Sequence, residues 1–517
     1  MFIISFVGRN LNRKNVKSDM HNVQSKHNFI DKFISAVNLY PDNIAYEIEG
    51  TGIKYTYAEC CKRMETWKGY FESLNLKKGD KVFILLAEEI EFILSFYALA
   101  SMGVISAFYD SKATDYELNQ VLEEFDPVGI VTSSKYLSER DNLIENKSLK
   151  FVLLTDSIGG ESNNFSNSKV ITTSSFPQTL AKLIPPNSDT IVSCHFTYKG
   201  FGYPLQVRHK YNDYSMFLEQ SSRLYPQEPG SVNLICLPYY PIYGISASVL
   251  HPLSCGCKML ICTNFSKIGI LNLLELYNIS LVCLVPLILK KLAHEAASEK
   301  ENIRNRINPE LVIISGGSYL EESIQDKIYE LLDKKVFQGY GLTETFPITF
   351  CHKDKVRFGT VGAANDGYAE IIILDNDGKQ LPNGTAGEIV IRGNSLAEGY
   401  YGRQSDTEKL FKNGCFYTGD IGFLDEENFL HFIGRRYPFT KVTSKMVDLT
   451  EIENVVKNYP GVIDARAIVR ENKKFGEIIH LHVKVNERIQ LTEKELKNTC
   501  RKYFSKYKIP SKIKIFS

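Results

Sequence analysis

From about residue 28 the chain alternates stretches of helical period with short apolar runs, a rhythm that restricts it to α/β architectures. Strand-like runs stand at Val128–Thr132, Phe151–Thr155, Ile191–Phe196, Leu234–Leu237, Met259–Cys262, Leu281–Val285 and Leu311–Ser315. Most are joined through segments long enough to be helices, so parallel pairing is expected. The run from Ala87 to Met102 is apolar on most faces, as a buried helix requires. Thr114-Asp115-Tyr116-Glu117 reads as a capping box that opens a helix with Tyr116, Leu118, Val121, Leu122 and Phe125 on its apolar side.

The rhythm changes near Gly384, where short strands and tight turns announce a smaller β-rich unit. Beyond Gly434-Arg435 come a helix over Leu449–Tyr459 and further strands. The reading is a large N-terminal region over 28–434 and a small α+β C-terminal lobe over 435–517. Residues 1–27 are expected to be a disordered tail: the apolar start precedes Arg9, Arg13, Lys14 and Lys17, the reverse of a secretion signal, and Met20 offers an alternative start. The Ser/Asn-rich stretch from Gly159 to Ser175 is expected to be a surface loop.

Composition excludes several classes of function. With 517 residues, 44% hydrophobic and 23% charged, the chain has material for two or more cores. Lys plus Arg number 61 against 60 for Asp plus Glu, with no long single-sign block, so a nucleic-acid partner is not expected. No apolar run reaches the roughly 18 residues of a membrane span. The eleven cysteines lack zinc-ligand spacing and are read as reduced thiols of a cytoplasmic protein.

Four motifs carry chemistry. Gly339-Tyr340-Gly341-Leu342-Thr343-Glu344-Thr345 follows an apolar strand and the turn Ser315-Gly316-Gly317-Ser318. Tyr417-Thr418-Gly419-Asp420-Ile421-Gly422 is followed by Gly434-Arg435 and Lys441. A glycine-rich loop runs Thr197-Tyr198-Lys199-Gly200-Phe201-Gly202-Tyr203-Pro204-Leu205. Between them lies the aromatic segment Leu237-Pro238-Tyr239-Tyr240-Pro241-Ile242-Tyr243-Gly244. Glycine-rich backbone, a hydroxyl, a cation and a carboxylate are what phosphate handling needs. A cleft-facing Asp such as Asp420 can accept two ribose hydroxyls.

In this order the motifs resemble those of the superfamily of adenylate-forming enzymes that contains acyl-CoA synthetases, adenylation domains and luciferases, from about residue 28 to the C-terminus. The resemblance implies an α/β fold: a large multi-sheet N-terminal adenylate-forming domain with a β-rich subdomain, and a small α+β C-terminal lobe. It places Tyr340 against adenine, Thr343 on phosphate, Glu344 on Mg²⁺, and Asp420 and Arg435 on the ribose. Thr197, Gly200, Gly202, Gly317, Ser318, Gly339 and Gly341 complete the nucleotide site. Lys199 and Lys441 join Thr343 and Glu344 as catalytic candidates. Tyr239, Tyr240, Tyr243 and Gly244 form the acid pocket, where the absence of an Asp favours an apolar or aryl acid over an amino acid.

The chain also departs from the pattern. Leu205 stands where the family's phosphate-loop lysine belongs, Pro241 replaces a histidine, and Pro438, Ser444 and Leu449 alter the hinge, where Ser444 is expected to obstruct a pantetheine arm. The sequence stops before the family's Gly-Lys segment, whose lysine lies by the reacting carboxylate; removing such a donor costs on the order of 10²–10³ in rate. Lys199, Lys441 or Lys445, or a partner protein, is left to supply the charge. The expected function is activation of a small carboxylic acid by ATP with Mg²⁺ as acyl-AMP, then transfer to the thiol of CoA or of the phosphopantetheine of an acyl or peptidyl carrier protein. The alternatives are an impaired homologue that binds nucleotide or acyl groups as a partner, and a ligase that uses the adenylate without a thioester.

Overall fold

The structure is a computed structural model that describes residues 28–140, 148–156, 169–263, 268–299, 303–351, 356–364, 368–436, 439–443, 445–472, 476–486 and 491–516. The expected tail over 1–27, Pro438 and Ser444 lie outside the described residues.

Two seven-stranded sheets carry the N-terminal region. One runs Val336–Gln338, Val312–Ser315, Ile279–Leu284, Val232–Ile235, Lys258–Ile261, Ile44–Ile48 and Lys54–Thr56, parallel except for the last pair. The other runs Lys169–Thr172, Phe151–Leu154, Gly129–Thr132, Lys81–Leu85, Ile105–Phe108, Ile191–Thr197 and Leu205–Lys210, again parallel but for its last pair. All seven runs read from the sequence are strands of these sheets. The expected loop over Gly159–Ser175 needs correction: Lys169–Thr172 is an edge strand hydrogen-bonded in register with Phe151–Leu154, while 157–168 lie outside the described residues.

The largest core joins the two sheets. The Ile90–Ser101 helix has every residue but Glu91 buried, because it packs among Val82 and Ile84 of one sheet, Ile235 and Ile261 of the other, and the helices Phe29–Leu39 and Tyr211–Leu224. A helix apolar on all faces is stable only when enclosed in this way. The Thr114 capping box forms as read, with Glu117 returning its carboxylate to the Thr114 amide.

A third, antiparallel sheet of five strands runs Ala369–Leu374, Gly387–Gly393 and Cys415–Leu424, with Phe411–Lys412 and Leu430–Arg435 sharing the far edge of Cys415–Leu424. Its core includes Tyr340 and Leu205, so this sheet closes over the carboxyl end of the first. After Arg435 come the hairpin Phe439–Val442/Lys445–Asp448, the helix Leu449–Lys457, a three-stranded sheet of Val462–Asn472, Gly476–Val485 and Lys512–Phe516, and the helix Glu493–Tyr503. These pack around a core of their own. Among the described residues no helix is long and apolar enough to cross a membrane.

Candidate active site

Adjacent parallel strands end level, which sets two glycine turns side by side. Leu284 pairs with Ser315 and Ser315 with Gln338, and the Gly339 amide donates to the Ser315 carbonyl at 2.9 Å. The turn at Gly316-Gly317 and the loop Gly339–Thr345 therefore emerge together at the carboxyl edge, where parallel sheets bind ligands. Gly317 is left-handed at φ +81°. A Cβ on Gly316 would come within 2.9 Å of the Tyr243 ring, so glycine is what lets that ring lie over the turn. Gly341 allows a two-residue antiparallel return onto Phe346–Pro347, and Phe346 takes a left-handed φ of +58° to complete it.

The turns open on a cavity of about 530 Å³. Its lining includes Thr197, Gly317, Gly339, Tyr340, Gly341, Thr343 and Glu344 at one end and Tyr240, Tyr243, Gly244, Phe217, Tyr225 and Ala247 at the other. Ser318 lies just past the lining. Tyr239, read as a pocket residue, is instead buried against Phe92 with ring centroids 5.5 Å apart. Tyr240 enters the cavity while Tyr239 enters the core. Gly244 is dictated by backbone proximity, since a Cβ there would stand 1.8 Å from the Pro238 carbonyl oxygen.

Asp420 and Arg435 are cross-strand partners in the antiparallel sheet. Arg435 Nε donates to Asp420 Oδ1 at 3.2 Å and Tyr340 Oη donates to Asp420 Oδ2 at 2.7 Å. The motifs around Tyr340, Asp420 and Arg435, some 80 residues apart in sequence, thus meet in one buried hydrogen-bonded group. Each carboxylate oxygen keeps a second lone pair that can accept a hydroxyl.

The C-terminal hairpin enters the same cavity. Lys441, Thr443, Lys445 and Met446 line it, and Lys441 Nζ donates to the Gly317 carbonyl. Burial, then the neighbouring Arg435 guanidinium, brings the Lys441 ammonium down to about 7 against the pull of Asp420. Lys445 forms an ion pair with Asp110, which also accepts from Tyr240 Oη at 3.3 Å. Asp110 was not singled out in the sequence because no motif surrounds it; it reaches the cavity only by following the Ile105–Phe108 strand.

The family model for AMP-binding enzymes matches residues 33–401, and that for the AMP-binding enzyme C-terminal domain matches 451–517. The chain belongs to the AMP-binding enzyme family. Within this adenylate-forming group it is 24% identical to the long-chain-fatty-acid–CoA ligase of Escherichia coli O6:H1, across 93% of this chain and 90% of that protein. It is 25% identical to the 2-succinylbenzoate–CoA ligase of Oceanobacillus iheyensis, across 92% and 93%. In fold it is similar to the o-succinylbenzoate CoA synthetase of Bacillus subtilis, at TM-score 0.80 and 23% identity over 94% of both chains. It is also similar to the amide bond synthetase McbA of Marinactinospora thermotolerans, at TM-score 0.81 and 20% identity over 95% and 96%.

In this member of the AMP-binding enzyme family, the glycine-rich loop is partly turned away from the cavity. Leu205 is wholly buried in the core under the five-stranded sheet. Gly200 and Gly202, both left-handed, do not line the cavity: the Gly202 amide donates to Asp448 Oδ2 at 2.9 Å, and a Cβ there would meet Asn454 at 2.8 Å. The loop is seated on the start of the Leu449–Lys457 helix. Lys199 has no exposed side-chain surface and pairs with Glu344 at 3.3 Å. Tyr400 Oη donates to the same carboxylate at 2.8 Å.

Proposed function

We propose that this AMP-binding enzyme family member uses ATP to activate a carboxylic acid and passes the acyl group to a thiol, with CoA the first acceptor to test. A carboxylate oxygen of the acid attacks the α-phosphorus, the bond from that phosphorus to the bridging oxygen breaks, and pyrophosphate leaves with the electron pair. In the second step a thiolate sulphur attacks the acyl carbon and AMP departs. The observation that carries this reading is the joining of the Tyr340–Asp420–Arg435 group to a mainly apolar cavity across the Gly317 turn.

Tyr340 offers a ring for the base, and Asp420 accepts ribose hydroxyls while Arg435 holds it in place. Thr343 presents a hydroxyl where phosphate is expected, and Lys441 brings an ammonium to the Gly317 carbonyl. Ammonium and hydroxyl donors fixed before charge develops cost no reorganisation during the reaction. Tyr243 and the apolar far wall favour an apolar or aryl acid. Asp110, the acidic group in the lining, is neutralised by Lys445, which argues against a substrate ammonium. Glu344, expected on Mg²⁺, is already paired with an internal ammonium, so no step is routed through a metal there.

We place the boundary between lobes near 434, at the end of the Leu430–Arg435 strand and ahead of the hairpin that begins at Phe439. A carrier-protein phosphopantetheine remains the second acceptor to test. Eleven free cysteines, seven of them buried, support a reducing, cytoplasmic setting.

A second reading is favoured by Leu205 in the core and by the occupied Glu344: a nucleotide-binding homologue that does not turn over. Acid-dependent exchange of labelled pyrophosphate into ATP, across pools of fatty, aryl and amino acids, separates the two. The expected result is exchange elicited by the fatty or aryl pool and lost in Asp420→Asn. Measurable ATP binding with no exchange from any pool sinks the enzyme reading and leaves the binding protein.

A further inference from the structure

Glu344 and Lys199 form an ion pair that no part of the proposed reaction uses. Both side chains have no exposed surface, and Lys199 Nζ stands 3.3 Å from Glu344 Oε1. The ammonium also lies 5.1 Å from the centre of the Phe416 ring and 5.5 Å from that of Phe439, so two aromatic rings flank it, and Nζ has no hydrogen-bond partner among the described residues. Glu344 Oε1 accepts from Tyr400 as well, leaving Oε2 without a hydrogen-bond partner among the described residues.

These surroundings are poor for a divalent ion. Mg²⁺ demands near-octahedral oxygen coordination and usually keeps several waters. Here one carboxylate oxygen is already shared by an ammonium and a phenol. The wider charge balance points the same way: Lys199, Lys441 and Arg435 stand beside the carboxylates Glu344, Asp420 and Glu477, so fixed cations already match the carboxylates here before any metal arrives. A metal site ordinarily concentrates anions. Leu205 bears on this directly, since the cation that resemblance assigns to the loop is absent at 205 and present at 199.

We propose that the Lys199 ammonium is a built-in cation that takes the place of a divalent metal at Glu344, so that the nucleotide binds here without one. The inference rests on the nucleotide site proposed above. Glu344 Oε2, the one open carboxylate oxygen, then needs only a hydrogen-bond donor.

Calorimetric titration of ATP into the full chain, once in EDTA and once in excess Mg²⁺, tests it. The expected result is a Kd in EDTA within about fivefold of that in Mg²⁺. Lys199→Met is expected to weaken binding in EDTA by at least about tenfold, with Mg²⁺ restoring it. Because that variant strands a buried carboxylate, Lys199→Met/Glu344→Gln serves as the uncharged control, and it should bind weakly in both buffers. Wild-type binding that collapses in EDTA overturns the inference and leaves the nucleotide site standing. Wild-type affinity retained in EDTA by the double variant also overturns it, since Lys199 would then not be the cation. No ATP binding in either buffer removes both this inference and the proposed function.

Discussion

Lys441 illustrates how much one side chain's environment decides. On its own an exposed lysine titrates near ~10.4, whereas burial beside Arg435 brings this one to about 7. Only the protonated form can place charge on a phosphate. The kcat/KM for adenylation, which reports the free enzyme, should therefore fall as pH rises through about 7. Lys441→Arg stays charged throughout and should carry activity at least about two pH units higher. A pH profile unchanged by that substitution would remove Lys441 from the reaction. The stability effect has the opposite sense. Between the folded and unfolded values the unfolded chain binds more protons, so this group's contribution improves as pH rises from about 7 and its penalty is fully present below that. Gly316 and Gly244 are legible at this scale only afterwards: glycine is visible in the sequence, but the Tyr243 ring and the Pro238 carbonyl that forbid a Cβ there are not.

Among elements, the start of the Leu449–Lys457 helix has two duties. Asp448 Oδ1 accepts from the Thr450 and Glu451 amides, capping the helix, and Oδ2 accepts from Gly202 in the glycine-rich loop. Asp448→Ala should lose the cap, about 1 kcal/mol, and strand the Gly202 amide, about 1–3 kcal/mol more. Asp448→Asn should keep the cap if its amide oxygen faces Thr450, yet lose the Gly202 bond. The prediction is a lowered Tm for the alanine variant and, in both variants, faster hydrogen exchange at Gly202; protected exchange at Gly202 in Asp448→Ala would sink this account. The sequence signals a glycine-rich turn clearly, because left-handed turns need glycine. It does not say what the turn touches, and one of the glycines assigned to nucleotide, Gly202, seats a helix.

For the whole molecule, one contact that joins the lobes away from the cavity is made by Lys508. Its ammonium lies 2.8 Å from Glu117 of the Thr114-capped helix and 2.9 Å from Glu451, with none of the three side chains more than 1% exposed. Against burial, which lowers it, Tyr198, Glu451, Tyr507 and Glu117 hold the ammonium well above its usual range, and across the same seam the Ser505 amide donates to Glu117 Oε2 and Thr114 Oγ1 to the Tyr503 carbonyl. Removing one member of such a group leaves uncompensated buried charge at about 3–5 kcal/mol. Lys508→Met is expected to release the C-terminal lobe, read as a larger radius of gyration in solution scattering and new tryptic cleavage after Arg435 or Arg436. Adding Glu117→Gln and Glu451→Gln should restore part of the docking. A compact, protease-resistant Lys508→Met protein would show that the seam holds without this charge.

The α/β alternation, the seven strand runs, the Thr114 capping box and the order of the nucleotide motifs were all readable along the chain, because periodicity, capping and turn chemistry act over a few residues. Tertiary structure alone decided that Tyr239 is core and Tyr240 cavity, that Lys199 is buried against Glu344, and that Asp110 and Lys445 meet. Those outcomes depend on contacts between groups from 130 to 335 residues apart, where burial and electrostatic pairing, not local propensity, set the free energy.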